Sequence, residues 1–264
     1  MKGKKKFTVD KNAVASSFSK AAAHYDQFAQ LQRDIGLQLL DSVSTKNSNL
    51  ILDLGCGTGY FSEKIIARLP HCEMTCLDLS VAMLEQVSKK KLGRVTYLQG
   101  DIDNLPFTAN HFDLIFSNLV LQWSEDLSLC LKQLKECLVK GGKLHFSTLL
   151  SGSLDELTQA WKNVDSDPHT NTFLSLDNIK QALQKAGFKK LSITTETRIL
   201  TYQSVTAVMR ALKGIGANHV HGHRAVKISG RHLIKLLEQG YSPFLNAQGE
   251  LNLTYQVCYV EAQK

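Results

Sequence analysis

The sequence predicts an α/β protein built on a mostly parallel sheet with helices on both faces. Three features point to this fold class. Between residues 49 and 150, short apolar runs typical of buried strands alternate with amphipathic helical stretches. The stretch LDLGCGTGYF at residues 52–61 places three glycines at alternate positions directly after the first apolar run. Two further β runs lie in the C-terminal part of the chain. Such alternation indicates right-handed βαβ units in a doubly wound sheet.

The composition is typical of a globular protein. The chain has 264 residues, of which 43% are hydrophobic, and a formal net charge of +7. There is no uninterrupted apolar run of about 18 residues, and no apolar stretch follows the basic start MKGKKKF, so neither a membrane span nor a secretory signal is indicated. The six cysteines form no CxxC pair, which favours reduced thiols over disulfides or zinc, and a cytoplasmic location is expected.

The first half of the chain supplies most of the predicted elements. Residues 11–44 are expected to be helical, because apolar residues recur at the spacing of one helix face: Phe28, Leu31, Ile35, Leu39, Leu40 and Val43. Strands are expected at 49–54, 73–79, 94–99, 112–117 and 143–150, with helices at 60–69, 80–91 and 126–139. Gly141 and Gly142 predict a turn before the fifth strand, since glycine readily adopts positive φ.

The C-terminal part combines helices with the closing β runs. Ser153 and Glu156 have the spacing of a capping box at the start of a helix. Another helix is expected at 175–188 and ends at Gly187. The β runs at 189–202 and 251–260 enclose a further helical segment.

A closing antiparallel pair added to five parallel strands resembles the class I S-adenosylmethionine-dependent methyltransferases. The resemblance implies a Rossmann-like, mostly parallel seven-stranded sheet in a single domain over residues 1–264. It also implies an N-terminal helical segment at 1–45 and a helical lid insertion at 203–245. This insertion and the one at 151–175 are expected to lie over the carboxyl ends of the strands, where ligands bind in open α/β sheets.

The glycine loop is the first predicted part of a cofactor site. Gly55, Gly57 and Gly59 let a ligand approach the backbone, although a tight strand-to-helix turn would also explain them. The spacing is G-x-G-x-G, and Asp53 directly before the loop would repel a pyrophosphate. A carboxylate suits the cationic amino-acid end of S-adenosylmethionine instead.

Further candidate cofactor-binding residues follow at the ends of the next strands. Asp78 is predicted to accept both ribose hydroxyls, or alternatively to cap the next helix, although Ser80 fits the cap better. Asp101 can accept the exocyclic amine of adenine, and Ile102 can cover the ring. The resemblance puts further residues at the same site: Leu79, Met83, and, beside the transferring methyl, Asn118 and Leu119.

Tyr25 belongs to the N-terminal helical segment, which in the family folds back over the cofactor. An aromatic ring near the sulfonium would contribute about 1 kcal/mol of cation–π energy. A buried helix aromatic explains Tyr25 equally well.

Three further stretches point to the acceptor: AAAHYDQFAQLQRDI, LLSGSLDELTQAWKNVDSDPHTNTFLS and MRALKGIGANHVH. Together with SNLVLQW and LTYQVCYV they closely resemble the malonyl-[acyl-carrier protein] O-methyltransferase family of biotin synthesis, from about Asn12 to Glu261. The resemblance implies methyl transfer from S-adenosylmethionine to the free carboxylate of a malonyl thioester on acyl carrier protein. Two alternatives remain: a small-molecule acceptor, or an assembly or modification factor that keeps the fold without transferring methyl groups.

The implied chemistry requires no general base. A carboxylate has a pKa of about 4 and is already ionised at neutral pH, so positioning and desolvation can supply the rate. No catalytic residue is therefore predicted. Arg210 and Lys213 are the candidates for contacts with the malonyl carboxylate or the carrier, although both also fit solvated helix positions.

The histidine and basic residues around the last helix admit other interpretations. His219, His221 and His223 could suggest a metal, but no Cys or carboxylate spacing supports one, and none is predicted. The nearby excess of positive charge is expected to steer an acidic carrier protein rather than nucleic acid: Arg224, Lys227, Arg231 and Lys235.

Overall fold

A computed structural model describes residues 9–44, 48–217 and 230–264. The described residues form seven strands: β1 (Leu50–Leu54), β2 (Glu73–Asp78), β3 (Val95–Gln99), β4 (Phe112–Asn118), β5 (Leu138–Leu149), β6 (Lys190–Tyr202) and β7 (Leu251–Gln263). They make one sheet in the order β3-β2-β1-β4-β5-β7-β6. The first five strands pair in parallel, and β7 inserts antiparallel between β5 and β6. The predicted sheet, with its closing antiparallel pair, is confirmed.

Helices cover both faces of this sheet. The α-helices of the described ranges are α1 (Lys11–Ala21), α2 (Tyr25–Phe28), α3 (Gln30–Asp41), α4 (Tyr60–Arg68), α5 (Val81–Lys89), α6 (Leu127–Cys137), α7 (Asp155–Trp161), α8 (Leu176–Ala186), α9 (Val205–Gly214) and α10 (Arg231–Tyr241). The predicted N-terminal helical stretch is thus three helices, because the backbone leaves helical geometry at His24 and Ala29.

Two hydrophobic clusters lie on opposite sides of the sheet. On one side Ile35, Ile65 and Val87 bring α3, α4 and α5 against the strands, and residues of α7, α9 and α10 extend the same cluster. On the other side Leu131 and Leu183 bring in α6 and α8. The central strands are buried on both faces, which explains their continuous apolar sequences.

The predicted turn at Gly141 and Gly142 is wrong. Strand β5 begins at Leu138 and runs through both glycines. Gly141 has φ of +84°, and the pairing of β4 with β5 shifts register between Phe112 and Leu114. The glycines therefore accommodate an irregularity inside a strand rather than a turn between two elements.

The predicted capping box at Ser153 and Glu156 is also wrong. Helix α7 follows Leu154, which has φ of +59° and provides no side-chain cap. The Ser153 hydroxyl accepts a hydrogen bond from the Gln256 backbone N–H at 2.9 Å, and Glu156 accepts one from the Thr254 N–H at 3.0 Å. Both side chains therefore fasten the start of α7 to β7.

The six cysteines are buried and carry free thiols. In the part of the chain that the structure describes, no helix combines the length and the apolar character needed to cross a membrane.

Candidate donor and acceptor clefts

The glycine loop joins β1 to α4 with three residues at positive φ: +71° at Gly55, +54° at Gly57 and +76° at Gly59. A Cβ on Gly55 would lie 2.3 Å from a methyl of Val120, and one on Gly59 would lie 2.2 Å from a methyl of Val87. A Cβ on Gly57 would meet no atom within 4 Å. Gly55 and Gly59 therefore permit close packing of the loop, whereas Gly57 leaves space open above it.

This open space belongs to a cleft of about 660 Å³ at the carboxyl ends of β1 to β4, which we call the strand-end cleft. The predicted cofactor residues that line it are Tyr25, Gly55, Gly57, Asp78, Leu79, Met83, Asp101, Ile102, Asn118 and Leu119. Gly59 lines none of the clefts described here, and Asp53 lines a neighbouring cavity.

Asp78 ties the glycine loop to the end of β2. Its Oδ2 accepts a hydrogen bond from the Gly57 N–H at 2.9 Å, and its Oδ1 accepts one from the Ser80 N–H at 2.8 Å. Ser80 caps α5 by accepting from the Met83 N–H, so the cap falls to Ser80 as expected. Each oxygen of Asp78 can accept a further hydrogen bond. Burial raises the pKa of Asp78 above its ordinary value.

At the far end of the cleft, Asp101 forms an ion pair with Lys11, a contact that the sequence did not suggest. The Lys11 ammonium lies 2.8 Å from Asp101 Oδ1 and 2.6 Å from Asp103 Oδ2, and it donates to the Trp123 carbonyl at 3.2 Å. Burial opposes the charge on Lys11, but the two carboxylates raise its pKa above the ordinary value. Lys11 thereby anchors the start of α1 beside the cleft.

The rest of the N-terminal segment crosses the cleft and is tied to its rim. The Ser19 and Ser80 hydroxyls lie 2.8 Å apart, and Thr58 of the glycine loop donates to Asp26 at 2.8 Å. Between these contacts, Tyr25 lines the cleft, and burial raises the pKa of its phenol above the ordinary value.

Asp53 lies in a smaller cavity of about 440 Å³ that also contains Tyr25, Gly57 and Gln32. Burial raises the pKa of Asp53 to about 7, even though Ser62 donates a hydrogen bond to Oδ2 at 2.5 Å. The side-chain oxygen of Gln32 is buried and has no hydrogen-bond partner among the described residues. A ligand group with N–H donors and a positive charge, such as an ammonium, would suit both oxygens.

A second and larger cleft of about 1020 Å³, which we call the apolar pocket, meets the strand-end cleft at four shared side chains: Phe18, Tyr25, Leu119 and Trp123. The insertion at 151–175 contributes Leu154, Leu157, Trp161, His169, Thr170, Asn171 and Phe173. The insertion at 203–245 contributes Met209, Leu212, Ile215 and Ala217. Both insertions thus lie at the junction with the strand ends.

Two glycines let the second insertion pack on the N-terminal segment. A Cβ on Gly214 would lie 2.3 Å from the Phe28 ring, and one on Gly216 would lie 3.0 Å from the Phe18 ring. The stretch LKGIG, part of one of the stretches that carry the family resemblance, therefore has a packing role.

Leu119 marks the boundary between the clefts. Its φ of +57° is unusual for a residue with a side chain. Its N–H donates to the Ser147 carbonyl at 3.1 Å and to the Ser147 hydroxyl at 3.0 Å. The hydroxyl in turn donates to Asn118 Oδ1 at 2.7 Å, so these contacts hold the strained backbone in place.

Arg210 and Lys213 are exposed and line neither cleft. They lie on the outer face of α9, whose Met209 and Leu212 line the apolar pocket. This exposed location suits the predicted contact with a carrier at the rim of the pocket. It does not suit the predicted contact with the malonyl carboxylate, because neither side chain lines the pocket.

The predicted histidine line and part of the basic stretch lie outside the described residues: His219, His221, His223, Arg224 and Lys227. Arg231 and Lys235 are exposed on α10. Within 9–44, 48–217 and 230–264, no group of three or more His, Cys, Asp or Glu side chains is arranged to hold a metal ion.

Comparison with known proteins places the chain among methyltransferases. A family profile described as "Methyltransferase domain" matches residues 52–146. That range includes the glycine loop, Asp78, Asp101 and Leu119. The match thus covers the loops after β1 to β4 that line the strand-end cleft. It includes neither the N-terminal residues of that cleft nor the insertions that line the apolar pocket.

Curated relatives extend over nearly the whole chain. Malonyl-[acyl-carrier protein] O-methyltransferase from Serratia marcescens is 42% identical over 252 residues, which cover 96% of this chain and 95% of that protein. The biotin biosynthesis bifunctional protein BioHC from Cellvibrio japonicus is 36% identical over 253 residues, which cover 96% of this chain and 50% of that protein. The structure of an S-adenosylmethionine-dependent methyltransferase from Thermotoga maritima superposes with a TM-score of 0.54 at 16% identity, covering 94% of this chain and 99% of that one. The predicted fold class is confirmed.

Proposed function

The chain belongs to the malonyl-[acyl-carrier protein] O-methyltransferase family, and on this premise we propose that it methylates the free carboxylate of a malonyl thioester carried on acyl carrier protein. The methyl donor is S-adenosylmethionine. The methyl ester would serve the synthesis of biotin, through a pimeloyl precursor. The observation that carries the proposal is the junction of the two clefts at Phe18, Tyr25, Leu119 and Trp123. The carboxylates of Asp78 and Asp101 line the cleft on one side, and no carboxylate is found in the described lining of the pocket on the other.

The strand-end cleft would hold the donor. Gly57 leaves room over the loop, Asp78 can accept hydrogen bonds from the ribose, and Asp101 has an oxygen, Oδ2, that accepts no hydrogen bond from a described residue. Asp53 and the unpartnered oxygen of Gln32 suit the ammonium of the amino-acid end. Tyr25, at the junction, would lie near the sulfonium.

The apolar pocket would hold the acceptor. When bound, the donor supplies a methyl group on a positively charged sulfur; a carboxylate oxygen gains the methyl, and the sulfur keeps the electron pair of the broken bond, giving S-adenosylhomocysteine. No proton moves in this step, because the acceptor carboxylate is already ionised. The protein therefore contributes orientation and exclusion of water, which the apolar lining favours.

The carrier would dock on the exposed basic face of α9 and α10. Arg210 and Lys213 lie on α9, and Arg231 and Lys235 lie on α10, all of them exposed. An acidic carrier protein would be attracted to this face, and its acyl chain would enter the neighbouring pocket. Within a single domain over 1–264, the segment at 1–45 would cover the donor, and the helices of 203–245 would act as a lid over the acceptor. A cytoplasmic location is part of the proposal and agrees with six free thiols.

The test uses the full-length protein with malonyl-acyl carrier protein and methyl-labelled S-adenosylmethionine. We expect a base-labile methyl ester on the carrier together with stoichiometric S-adenosylhomocysteine. Acetyl-acyl carrier protein, which lacks the free carboxylate, is the control and should gain no label.

Two results would contradict the proposal and point to the alternatives. Methylation of a small molecule, with none of the carrier thioester, would indicate a small-molecule acceptor. Calorimetric binding of S-adenosylmethionine without S-adenosylhomocysteine formation on malonyl-acyl carrier protein, malonyl-coenzyme A or a panel of small acceptors would indicate a factor that does not transfer methyl groups.

A further inference from the structure

A glutamine directly after β4 reaches the junction of the two clefts. Leu121–Trp123 form a short 3-10 turn that follows the strained backbone of Leu119. Leu121 is buried in the hydrophobic cluster that contains residues of α6 and α8, and Gln122 lines the apolar pocket. The described lining of this pocket contains no Lys, Arg, Asp or Glu side chain. Neutral hydrogen-bond donors of the lining are therefore candidates for holding a charged ligand.

The side-chain amide of Gln122 is held at both of its polar atoms. Its Nε2 donates to the Leu119 carbonyl at 2.9 Å, and its Oε1 accepts from the Thr148 hydroxyl at 3.3 Å. Because a carbonyl oxygen pairs only with a donor, the contact with Leu119 fixes which end of the amide carries the nitrogen. Thr148 is a buried residue of β5. These two contacts therefore hold the amide to the ends of two neighbouring strands.

One hydrogen of Nε2 remains for a ligand. An amide nitrogen carries two N–H groups, and the Leu119 carbonyl is its one acceptor among the described residues. The Gln32 amide lines the same pocket, but its oxygen has no partner among the described residues, so that amide is not fixed at this atom. Gln122 thus presents an N–H from a fixed position, one hydrogen bond away from Leu119, which lines both clefts.

The proposed acceptor brings a negative charge to this position. An ionised carboxylate is strongly disfavoured among apolar side chains unless it is paired or hydrogen-bonded. A hydrogen bond to a charged oxygen is also stronger than one to a neutral oxygen. An N–H at the junction would therefore favour the carboxylate over an uncharged group of the same shape.

We propose that the free N–H of Gln122 binds the carboxylate of the acceptor at the junction of the clefts; this inference rests on the proposed function. One carboxylate oxygen accepts from Gln122, and the other remains available to the methyl group. Leu119 and Thr148 hold the amide and act as positioning residues. After transfer the ester presents only neutral oxygens, so its hydrogen bond with Gln122 is weaker and the product is held less firmly.

The test compares a charged and a neutral ligand on protein saturated with S-adenosylhomocysteine, which can methylate neither. Calorimetry measures the dissociation constants of malonyl-acyl carrier protein and of its methyl ester for the wild type and for Gln122→Met. Methionine has a similar length and removes the N–H. Gln133→Met is the matched control, because the Gln133 amide also donates to a loop carbonyl at 2.9 Å, that of Asp103, but lies outside both clefts.

We expect Gln122→Met to weaken binding of the malonyl substrate roughly ten- to a hundredfold and binding of the ester roughly two- to tenfold. The preference for the charged ligand should therefore fall at least about fivefold. Gln133→Met should keep the wild-type preference. Thr148→Val leaves the amide in place but frees its oxygen, so it should lower the preference by less than Gln122→Met does.

A wild-type preference in Gln122→Met would overturn the inference. So would a loss of affinity for S-adenosylhomocysteine as large as the loss for the malonyl substrate, because Gln122 would then act through the backbone of Leu119, which lines both clefts. S-adenosylhomocysteine binding also checks folding; if Gln122→Met does not fold, a wild-type preference in Thr148→Val overturns the inference instead. If the wild-type protein forms no methyl ester on malonyl-acyl carrier protein with S-adenosylmethionine, the proposed function itself fails.

Discussion

The strand-end cleft and the apolar pocket share four side chains but are built in different ways. The strand-end cleft is formed by short loops directly after β1 to β4 and contains carboxylates and backbone N–H groups. The apolar pocket takes more than half of its described lining from two insertions distant in the sequence, and no carboxylate is among its described lining residues. In the proposed assignment, the strand ends would provide the donor site and the insertions most of the acceptor site. Changes to each cleft should therefore affect one ligand and not the other.

The largest expected effect is on the donor alone, through Gly57→Val. The valine side chain would enter the space that Gly57 leaves open above the loop. We expect the affinity for S-adenosylhomocysteine, measured by calorimetry, to fall at least about a hundredfold, which corresponds to about 2.7 kcal/mol. The backbone strain at φ of +54° should cost about 1–2 kcal/mol of stability, measured as the free energy of unfolding in urea.

Gly93→Val is the matched control for this variant. Gly93 also has a positive φ, of +78°, and open space where a Cβ would be, but it lies outside both clefts. The two variants should lose similar stability, while Gly93→Val keeps its affinity for the donor. If Gly57→Val binds S-adenosylhomocysteine as tightly as Gly93→Val does, the strand-end cleft is not the donor site.

The strand-end cleft could be predicted largely from the sequence, because its residues are set by local position. Asp78, Asp101 and Leu119 lie at or just beyond the ends of apolar strand runs, and parallel strands bring their carboxyl ends to the same edge. Lys11 could not be predicted, since its partner Asp101 is 90 positions away. No local pattern distinguishes that lysine from a solvated one.

The apolar pocket was harder to predict because tertiary contacts override local patterns there. Ser153 and Glu156 match a capping box, yet both bind the backbone of β7, about a hundred positions later in the sequence. His169 is a single histidine with no metal or catalytic spacing around it, and only the fold brings it to the pocket. Arg210 and Lys213 lie on α9, and the sequence around them does not indicate which face of that helix meets the pocket.

The next largest effect concerns the carrier. Reversing both charges on the outer face of α9, by Arg210→Glu with Lys213→Glu, should raise the KM of malonyl-acyl carrier protein roughly 10- to 100-fold at low salt, since long-range attraction to the acidic carrier is lost. The increase should shrink as the salt concentration rises. The affinity for S-adenosylhomocysteine should not change.

Lys132→Glu with Lys180→Glu is the control, because it changes the net charge by the same amount. Lys132 is exposed on α6 and Lys180 is exposed on α8, two helices that pack against each other. An equal increase in KM for this control would mean that net charge, rather than a docking face on α9, governs carrier binding.

The third effect is a dependence of donor affinity on pH. The pKa of Asp53 is raised to about 7, so the folded protein holds this proton more tightly than the unfolded chain. The stability that the proton provides is complete below about pH 4 and is lost as the pH rises through about 7. If the ionised Asp53 receives the donor's ammonium, binding must release this proton. Affinity for S-adenosylhomocysteine should then rise about tenfold between pH 5.5 and 7.

Asp53→Asn removes the titrating group. It should therefore remove the pH dependence of the affinity for S-adenosylhomocysteine and this residue's contribution to the pH dependence of stability. Calorimetry at pH 5.5, 6 and 7 measures the affinity, and urea unfolding at the same pH values measures the stability. If Asp53→Asn keeps the wild-type rise in affinity with pH, another group causes that rise. Asp53 would then not be the residue that receives the donor's ammonium.

The smallest effect should come from Lys11→Met, which removes the ion pairs between α1 and the far end of the strand-end cleft. These contacts are only partly buried, so their loss should cost about 0.2–1 kcal/mol, or up to about a fivefold loss in donor affinity. Asp103 keeps its hydrogen bonds from the Ser124 hydroxyl and the Glu125 N–H, which should preserve the loop itself. Stopped-flow measurement should find faster release of S-adenosylhomocysteine, because α1 is held less firmly beside the cleft.

Lys90→Met breaks an ion pair of the same length, 2.8 Å, between the end of α5 and Glu63, away from both clefts. It should leave donor release unchanged. The KM of malonyl-acyl carrier protein at saturating S-adenosylmethionine should also stay the same in Lys11→Met, since Lys11 does not line the apolar pocket. A rise in that KM as large as the loss in donor affinity would mean that the N-terminal segment couples the two clefts, and that they do not respond separately to substitution.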